Sequence, residues 1–454
     1  MFFLENNRIE NMSEQKVSGH DLKGSFKSIS AFVRDKILGN KHYKWYQRGV
    51  WVVSLGWAAY VGVQSIPFYT FVGAGETAYK KGDYVLAEQQ LLAAYKESEK
   101  FSLSDLRRAK AMNNLAELYR TTGRYSEAEP FYLKTVKMAE GLGAKRKELP
   151  ISLSNLATLY RDEGKFPEAE ATFQKALKLW DTNIRQPDDP LRSSILLGLG
   201  KLRRDEGKYA DAEDYYKQAL RIRTKVYGSS DVQIAVMLDN LGGICRDEGR
   251  YAESERFYKR ALYIDQTALG RNHPDSATDL NNFAALLRVE GHYKVALPLF
   301  MQALQIRKEV LGPNHPLVAK TLCGIGELKA DTGDSKEAAN YYNQALQIQT
   351  KALGLQHPDT ATTEDALGCL YLKDGNLKQA KVYLDKALAT RKIALSPNHP
   401  DVGSSLRNEA KLASKEGRHK EALALLQDSV SVFKSSLGEN HPLTKNAETE
   451  LKAI

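Results

Sequence analysis

The chain has 454 residues, 42% hydrophobic and 27% charged, a composition that fits an ordered protein and excludes collagen-like or low-complexity sequence. Its length exceeds one ordinary hydrophobic core, so we expect several domains or one extended array. The net charge is +9, but residues 1–48 hold nine Lys and Arg against five Asp and Glu. The small excess left for the rest of the chain argues against a nucleic-acid-binding surface.

The first predicted element is a basic segment, residues 1–48, which we expect to be partly disordered. The next residues, 49–75, carry no charge and read GVWVVSLGWAAYVGVQSIPFYTFVGAG. A bilayer core needs about 20 residues of apolar helix. Trp51 and Trp57 lie in the first half of this run, as aromatic residues do at membrane interfaces. The sequence therefore predicts a single transmembrane anchor over residues 49–67, in contact with the lipid bilayer.

Basic residues upstream of this run predict its orientation. Within residues 22–48, Asp35 is the one acidic residue among seven basic ones. The positive-inside rule then places the N-terminus in the cytoplasm and the rest of the chain on the extracytoplasmic side, with a cytoplasmic location as the alternative.

Three other interpretations of the apolar run remain open. A signal peptide would require an unusually long leader. A helix lying in the membrane interface would need a polar face, which the run lacks. The third alternative is a buried first helix of the array that follows.

Residues 68–441 repeat one pattern nine times. Each copy contains a glycine at the same place, and the spacings between these glycines are 41, 41, 43 and then 42 residues five times over. The glycines are Gly82, Gly123, Gly164, Gly207, Gly249, Gly291, Gly333, Gly375 and Gly417. A period of this length is typical of stacked supersecondary units.

Each copy reads as a helix, a tight turn and a second helix. In the copy around Gly291, the apolar residues Leu280, Ala284 and Leu287 recur at helical spacing before the glycine, and Ala296 and Phe300 follow it. A glycine at this place supplies the left-handed residue that ends a helix. One such hairpin cannot bury its apolar face, so its neighbours must stack on it. We expect an all-α protein.

The pattern resembles the tetratricopeptide repeat, with an aromatic residue two and nine positions after the glycine and alanine five positions after it. The usual repeat has 34 residues. The longer unit, with its LGxxHPxxA connection, is similar to the kinesin light chain subtype. The resemblance implies a right-handed superhelical α-solenoid of about nine hairpins over residues 68–441, preceded by the transmembrane helix and closed by a C-terminal capping helix, residues 442–454.

The same resemblance implies a non-enzymatic interaction scaffold, which binds extended and also acidic peptide segments of partner proteins and assists the assembly of a protein complex. The first helices of the hairpins would line the concave, peptide-binding face. Polar residues recur there at positions three and ten residues before the glycine, or next to them: Asn113, Asn114, Arg120, Asn155, Arg161, Arg204, Asp239, Asn240, Arg246, Asn281, Asn282 and Arg288. Amides can pair with a peptide backbone, and arginine suits carboxylates.

A structural interpretation of these arginines competes with the peptide groove. Asp162, Asp205 and Asp247 directly follow three of them, so the arginines could pair with acids on adjacent helices. An RNA-binding helical-repeat protein is the alternative function, and the neighbouring acids argue against it.

No catalytic, cofactor or metal motif is evident, and we predict no enzyme activity, cofactor, small-molecule substrate or nucleic-acid partner. GAGETA at residues 73–78 follows an apolar helix instead of a strand, which disfavours a dinucleotide site. Cys245, Cys323 and Cys369 are widely spaced and read as buried small residues. Five histidines precede a proline in the connections: His273, His315, His357, His399 and His441. They lie one full repeat apart, too far for shared zinc ligation, and we interpret them as part of each helix start.

Overall fold

A computed structural model describes residues 65–143 and 146–453. Within these residues the chain forms nineteen α-helices and no β-strand, which confirms the all-helical repeat architecture. Most of the predicted anchor, residues 49–64, and the basic segment before it lie outside the described residues. Among the helices that are described, none is both long enough and apolar enough to cross a bilayer.

The first eighteen helices pair into nine hairpins, each with an A helix and a B helix. The A helices are residues 65–80 (α1), Leu106–Thr121 (α3), Glu148–Glu163 (α5), Pro190–Asp205 (α7), Val232–Asp247 (α9), Pro274–Val289 (α11), Pro316–Asp331 (α13), Pro358–Lys373 (α15) and Pro400–Lys415 (α17). The B helices are Tyr84–Ser98 (α2), Tyr125–Leu142 (α4), Phe166–Leu179 (α6), Tyr209–Tyr227 (α8), Tyr251–Ala268 (α10), Tyr293–Leu311 (α12), Ser335–Ala352 (α14), Leu377–Ala394 (α16) and His419–Leu437 (α18). Pro442–Ala453 (α19) follows the last hairpin, and a π-helical turn, Trp180–Ile184, extends α6.

The turn inside each hairpin is built by glycine. Gly123 has a φ of 71°, in the left-handed region where a side chain would be strained. The N–H of Arg124 donates to the carbonyl of Tyr119 at 2.8 Å, and the N–H of Gly123 donates to that of Arg120 at 3.1 Å. These bonds satisfy carbonyls at the end of the A helix that would otherwise have no partner. The same arrangement stops the other A helices, so the predicted glycines end helices in every hairpin.

A histidine or an aspartate begins most A helices. The side chain of Asp231 accepts a hydrogen bond from the N–H of Gln233, two residues on. In later hairpins the Nδ1 atom of histidine takes this role, and His357 accepts from the N–H of Asp359 at 3.0 Å. Each cap satisfies a free N–H at a helix start. The histidines thus do belong to the helix starts.

Aromatic residues of the B helices fill the space between helices. Tyr216 on α8 is fully buried, and its ring lies against Gly200 on α7 of the same hairpin. Phe173 on α6 lies against Gly198 in the same way, across the boundary to the next hairpin. Glycine on the A helix therefore lets an aromatic ring approach the backbone, both within a hairpin and between neighbours.

We expect Gly200→Ala to destabilise the protein by about 1–3 kcal/mol, because a Cβ there would lie 2.4 Å from the ring of Tyr216. Urea denaturation followed by circular dichroism measures this loss. Gly141→Ala is the matched control, since Gly141 is a helical glycine where an added Cβ would have nothing within 4 Å. That substitution should stabilise by about 0.5–1 kcal/mol. Equal effects of the two substitutions would contradict the packing argument.

The stacked hairpins form a superhelix whose second turn touches its first. The connection before α13, at His315, lies against Gly82 in the first hairpin, and the connection before α15, at His357, lies against Gly123 in the second. Contacts therefore recur at an offset of six hairpins. The second superhelical turn therefore lies against the first, along one side of the channel that the concave face lines.

Candidate peptide-binding face

The A helices form the inner wall of the superhelix. Adjacent A helices touch one another directly, as α5 touches α7 and α11 touches α13, whereas each B helix contacts the A helix that follows it. Close contact among A helices and wider separation of B helices is the geometry of a curved stack with the A helices inside. The twelve predicted site residues all lie on A helices, from α3 to α11.

The predicted arginines form a ladder of ion pairs between hairpins. Arg204 on α7 donates from Nη2 to Oδ2 of Asp247 on α9 at 2.7 Å. The same step, one repeat forward, joins Arg120 to Asp162, Arg161 to Asp205 at 3.4 Å, and Arg288 to Asp331. Each of these arginines therefore already has a carboxylate partner in the next hairpin. This geometry supports the structural interpretation of the arginines, and their role toward a ligand stays a prediction.

Arg246 departs from this ladder. Its forward partner would stand at position 289, where the chain has Val289. The guanidinium of Arg246 pairs with the adjacent Asp247 at 2.9 Å, and Asp247 already accepts from Arg204. Arg246 and Arg204 thus share the one carboxylate of Asp247, so the positive charge of this pair of arginines is only partly compensated.

The predicted amides make a second, weaker ladder that runs backward. Nδ2 of Asn282 donates to Asp239 of the preceding hairpin at 3.1 Å, and Nδ2 of Asn114 donates to Glu76 at 3.2 Å. Asn240 donates within its own helix, to the carbonyl of Val236. Among the described residues, the remaining predicted amides, Asn113, Asn155 and Asn281, make no such bond to a neighbouring hairpin, and the side-chain oxygens of Asn113 and Asn281 are buried without a partner.

A cavity of about 110 Å³ opens on the inner wall between the second and fourth hairpins. Its lining residues are Glu117, Arg120, Tyr132, Asn155, Thr158, Arg161, Ser194, Leu197, Gly198 and Lys201. Three predicted site residues, Arg120, Asn155 and Arg161, thus come together here. The cavity has room for one side chain of a partner.

Lys201 is the residue of this cavity that the sequence analysis missed. Burial, with a further contribution from the charges of Arg161 and Arg120, lowers the pKa of Lys201 to about 8. Asp162 and Asp205 offset this effect in part. An ammonium held among arginines favours an incoming carboxylate. The sequence could have identified Lys201 as a candidate, because Lys201 lies three residues before Arg204 and so on the same face of α7.

The described residues contain no group of His, Cys, Asp or Glu arranged to hold a metal ion. The thiol of Cys245 is buried, those of Cys323 and Cys369 are half-buried, and burial raises the pKa of each. Such thiols are protonated and unreactive at neutral pH.

Comparisons with known proteins identify the repeat. Residues 68–141, 148–225, 233–309, 280–351, 325–393 and 371–435 match the family described as Tetratricopeptide repeat. A search of the curated proteins gave no significant match.

Solved structures with similar folds include BtubC (BKLC) from P. vanneervenii, with 23% identity over 51% of this chain and 92% of that chain and a TM-score of 0.42. A putative kinesin light chain from Podosopora anserina with nearly identical TPR-like repeats has 21% identity over 44% of this chain and 94% of that chain, at a TM-score of 0.36. A Rap protein complexed with Competence and Sporulation Factor has 14% identity over 76% of this chain and 99% of that chain, at a TM-score of 0.50. At these identities the similarity concerns the fold. By its repeats, this chain belongs to the tetratricopeptide repeat family.

Proposed function

We propose that this protein is a non-enzymatic scaffold that holds extended segments of partner proteins on its concave face and so assists the assembly of a protein complex. A tetratricopeptide superhelix is an interaction scaffold in general, and this one keeps the family's repeat over most of the chain. The Rap protein of similar fold was solved with a bound factor, which supports a ligand-binding role for a superhelix of this extent.

The cavity between the second and fourth hairpins carries the proposal. Asn155 and Lys201 line it and make no hydrogen bond or ion pair with another side chain in the described part of the chain. The amide of Asn155 can pair with both the N–H and the C=O of a peptide backbone, and the ammonium of Lys201 can pair with a carboxylate. A partner segment with an acidic side chain or a terminal carboxylate at this point fits the cavity best.

The arginine ladder enters this proposal in a supporting role. Arg120 and Arg161 hold adjacent hairpins together through Asp162 and Asp205, so they shape the cavity walls. Their charges are compensated by carboxylates, and compensated arginines contribute little to the counterion release that drives RNA binding. The proposal therefore includes no nucleic-acid partner.

Membrane attachment is the second part of the proposal, and it rests on the sequence. The uncharged run, its interfacial tryptophans and the basic residues before it favour an anchor at residues 49–67, with the repeats on the extracytoplasmic side. Protease added outside intact cells tests this orientation. Cleavage of the repeats supports it, and full protection in intact cells with cleavage after lysis contradicts it.

Photo-crosslinking tests the concave site directly. A benzoylphenylalanine at Asn155 places the reactive ketone in the cavity, and the same residue at Tyr263, whose side chain is 70% exposed on α10, is the control. We expect one or a few partners to crosslink from position 155 and to be identified with the attached peptide by mass spectrometry. The same proteins crosslinking equally from position 263 would contradict a site on the concave face.

The double variant Asn155→Ala/Lys201→Ala should weaken binding of the captured peptide about tenfold or more, since it removes a backbone-pairing amide and one cation, worth over about 1.4 kcal/mol together. Fluorescence anisotropy with the synthetic peptide measures this loss. Lys178→Ala is the matched control, because Lys178 is an exposed lysine on α6 of the third hairpin. Equal affinities for the double variant and the control would refute the assignment of these two residues.

A further inference from the structure

Four connections of the second superhelical turn rest on four hairpin turns of the first. A Cβ added to the turn glycine would lie 2.2–3.0 Å from the histidine or proline of the connection six hairpins later. The four pairs are Gly82 with His315 and Pro316, Gly123 with His357 and Pro358, Gly164 with His399, and Gly207 with His441. Glycine at these four places is therefore required by the approach of a distant chain segment as well as by its φ.

Hydrogen bonds join the two turns at this contact. Nε2 of His357 lies 3.0 Å from the carbonyl oxygen of Thr121, 236 residues earlier, at the end of α3. The N–H of Ser396 donates to the carbonyl of Glu163 at 2.9 Å, at the end of α5. These carbonyls end A helices, where the helix itself supplies no donor.

His357 serves two helices at once. Nδ1 of His357 accepts from the N–H of Asp359 and caps α15, while Nε2–H donates to the carbonyl of Thr121 at the end of α3. Both bonds together require the neutral ring with its proton on Nε2. His315 occupies the same position, with its Nδ1 on the N–H of Leu317 and its ring against the backbone of Lys80.

Apolar contacts support the same junction. Tyr125, at the start of α4, packs against a cluster that includes Leu395 and Val402 near the connection before α17. Leu437, before α19, packs against the core of the first hairpins. The charge of Asp359 on α15 also acts on Tyr84 at the start of α2, across the same junction. Burial, with the charges of Asp359 and Glu117, raises the pKa of Tyr84 to about 12.

The other glycine turns show what the contact adds. Gly249, Gly291, Gly333, Gly375 and Gly417 have the same left-handed φ, but a Cβ on them would meet nothing within 4 Å among the described residues. His273 shows the same difference. It begins the sixth hairpin, so no described hairpin lies six places before it, and its side chain is 38% exposed, against 9% for His357. The contact is thus a property of the six-hairpin offset and not of the repeat itself.

We propose that the connections at His315, His357, His399 and His441 form a latch that holds the second superhelical turn on the first and closes the side of the concave channel. The latch rests on the proposed function in one respect: a partner segment held in the channel enters from the side only when the latch opens. With the latch closed, entry is confined to the two ends of the superhelix.

Acid opens this latch. A second proton on the ring puts N–H on Nδ1, where it opposes the backbone N–H that Nδ1 caps. Burial lowers the pKa of His315, His399 and His441 below its ordinary value. A lowered pKa in the folded state means that the latch contributes its full stability above the ordinary histidine pKa of about 6.5 and loses it as the pH falls through the folded pKa.

Charged groups around the histidines modulate this response. The guanidinium of Arg307 faces His315, and the carboxylate of Asp359 lies 4.0 Å from Nδ1 of His357. Around His399 the neighbours have both signs, with Asp401 at 3.9 Å, and Asp162 and Arg391 further away. Burial alone lowers the pKa of His441. A carboxylate favours the protonated ring and a guanidinium opposes it, but burial is the largest cause at both His315 and His399, and it lowers the pKa at both junctions.

The latch is tested by distance measurement in the full chain. Fluorescent labels on unnatural amino acids at Glu168 and Asn398, two exposed positions on opposite sides of the junction, report its separation at pH 7.5. We expect Gly164→Ala to lengthen this distance, because its Cβ would lie 2.5 Å from the ring of His399. Gly333→Ala is the matched control, with a φ of 83° against 85° and nothing within 4 Å among the described residues. An unchanged distance in Gly164→Ala, or the same lengthening in both variants, overturns the latch.

A second pair of variants avoids strain at the turn. His399→Ala and His273→Ala each remove the cap of one A helix, but of the two only His399 touches the first superhelical turn as the structure describes it. We expect His399→Ala to lengthen the label distance and His273→Ala to leave it unchanged, with both variants keeping their helical circular dichroism. Lowering the pH to about 5, well below the ordinary histidine pKa, should lengthen the distance in the wild type. A distance that is the same in both conditions overturns the acid opening.

Side entry is tested with a bulky thiol reagent. Asn155→Cys is treated at neutral pH with a maleimide–polyethylene glycol, and modification at each cysteine is quantified by mass spectrometry. We expect Gly164→Ala to speed modification of position 155 about tenfold, as a shift of about 1.4 kcal/mol in the opening equilibrium would. Gly333→Ala should leave the rate unchanged, and equal rates in the two overturn side closure. These measurements need no partner, so a failure of the proposed scaffold function would leave their outcome readable.

Discussion

The double variant Asp265→Arg/Asp279→Thr should be more stable than the wild type by about 2–4 kcal/mol at pH 8, and by much less at pH 4.5. The reason is a cluster of three buried carboxyl groups between the fifth and sixth hairpins. Asp239 on α9, Asp265 on α10 and Asp279 on α11 lie together, and each has one oxygen that is buried without a partner among the described residues.

The positive charge of Lys320 offsets only part of the effect of burial on this carboxyl cluster. Burial, with the nearby charges of Asp275 and Asp239, raises the pKa of Asp265 to about 7. Burial and the adjacent Asp239 raise the pKa of Asp279 well above its usual range, so Asp279 is protonated and hydrogen-bonds to Asp239. An acid with a raised pKa in the folded state binds its proton more tightly there than in the unfolded chain. Its favourable contribution is therefore complete below about pH 4 and is lost as the pH rises through the folded pKa.

The chain itself provides the template for the repair. One repeat after Asp265 and Asp279 stand Arg307 and Thr321, and Nη1 of that arginine donates to the threonine hydroxyl at 2.6 Å. Two repeats further still, Arg391 and Ser405 make the same bond at 2.7 Å. The double variant copies this pair to the boundary between the fifth and sixth hairpins and leaves Asp239 paired with Asn282.

Urea denaturation at pH 4.5, 6 and 8 measures the difference in free energy of unfolding between the double variant and the wild type. Urea is uncharged, so it does not screen the interactions between the carboxylates. Asp428→Asn is the control, because Asp428 is exposed on α18 and makes no ion pair within the described residues. The stability of the control should follow the wild type at every pH. A double variant that is no more stable than the wild type at pH 8, or one that gains equally at pH 4.5, would contradict the role of the carboxyl cluster.

Arg307→Ala should destabilise the protein by about 3 kcal/mol or more, one of the largest effects of a single substitution in this chain. Arg307 is 1% exposed and makes hydrogen bonds to three neutral groups, the hydroxyls of Thr321 and Thr278 and the carbonyl of Leu317. Its removal leaves a cavity and takes the guanidinium donor away from the two hydroxyls, while the carbonyl of Leu317 still accepts from the hydroxyl of Thr321. Burial lowers the pKa of Arg307 to about 10, which Asp275 partly offsets, so the arginine remains charged at neutral pH.

Thermal and urea denaturation at pH 7.5 measure the loss for Arg307→Ala. Arg260→Ala is the control, since Arg260 is exposed on α10. Arg307→Lys distinguishes the fork geometry from the charge, because one ammonium cannot reach groups on three sides of the guanidinium. We expect Arg307→Lys to lose most of the same stability. A loss as small as that of Arg260→Ala would show that the hydrogen bonds contribute nothing.

The sequence predicted the hairpins because their determinants are local. A glycine that must adopt a positive φ, an alanine at a close helix approach and an aromatic residue nine positions later act over one or two helical turns. Phe300 and Ala296 are indeed fully buried between their helices. The sequence also placed the candidate site residues on the inner helices, since three and ten residues before a glycine lie on one face of an A helix.

The partners of those residues required the tertiary structure. Asp162 follows Arg161 directly, and the sequence could not show that Asp162 also accepts from Arg120 one hairpin earlier. The sequence places Lys201 on the same face of α7 as Arg204, but only the structure shows that it is buried beside Arg161 and Arg120, which lowers its pKa to about 8.

What the sequence alone determined about this protein is its unit: the period, the two helices, the turn and the family. What only the tertiary structure decided is which units meet across the superhelix. The small rotation between adjacent hairpins accumulates over six of them, and this sum brings His357 to the carbonyl of Thr121 across 236 residues. No pattern within one repeat records that sum, because it depends on the packing angle at every helix pair between the two residues.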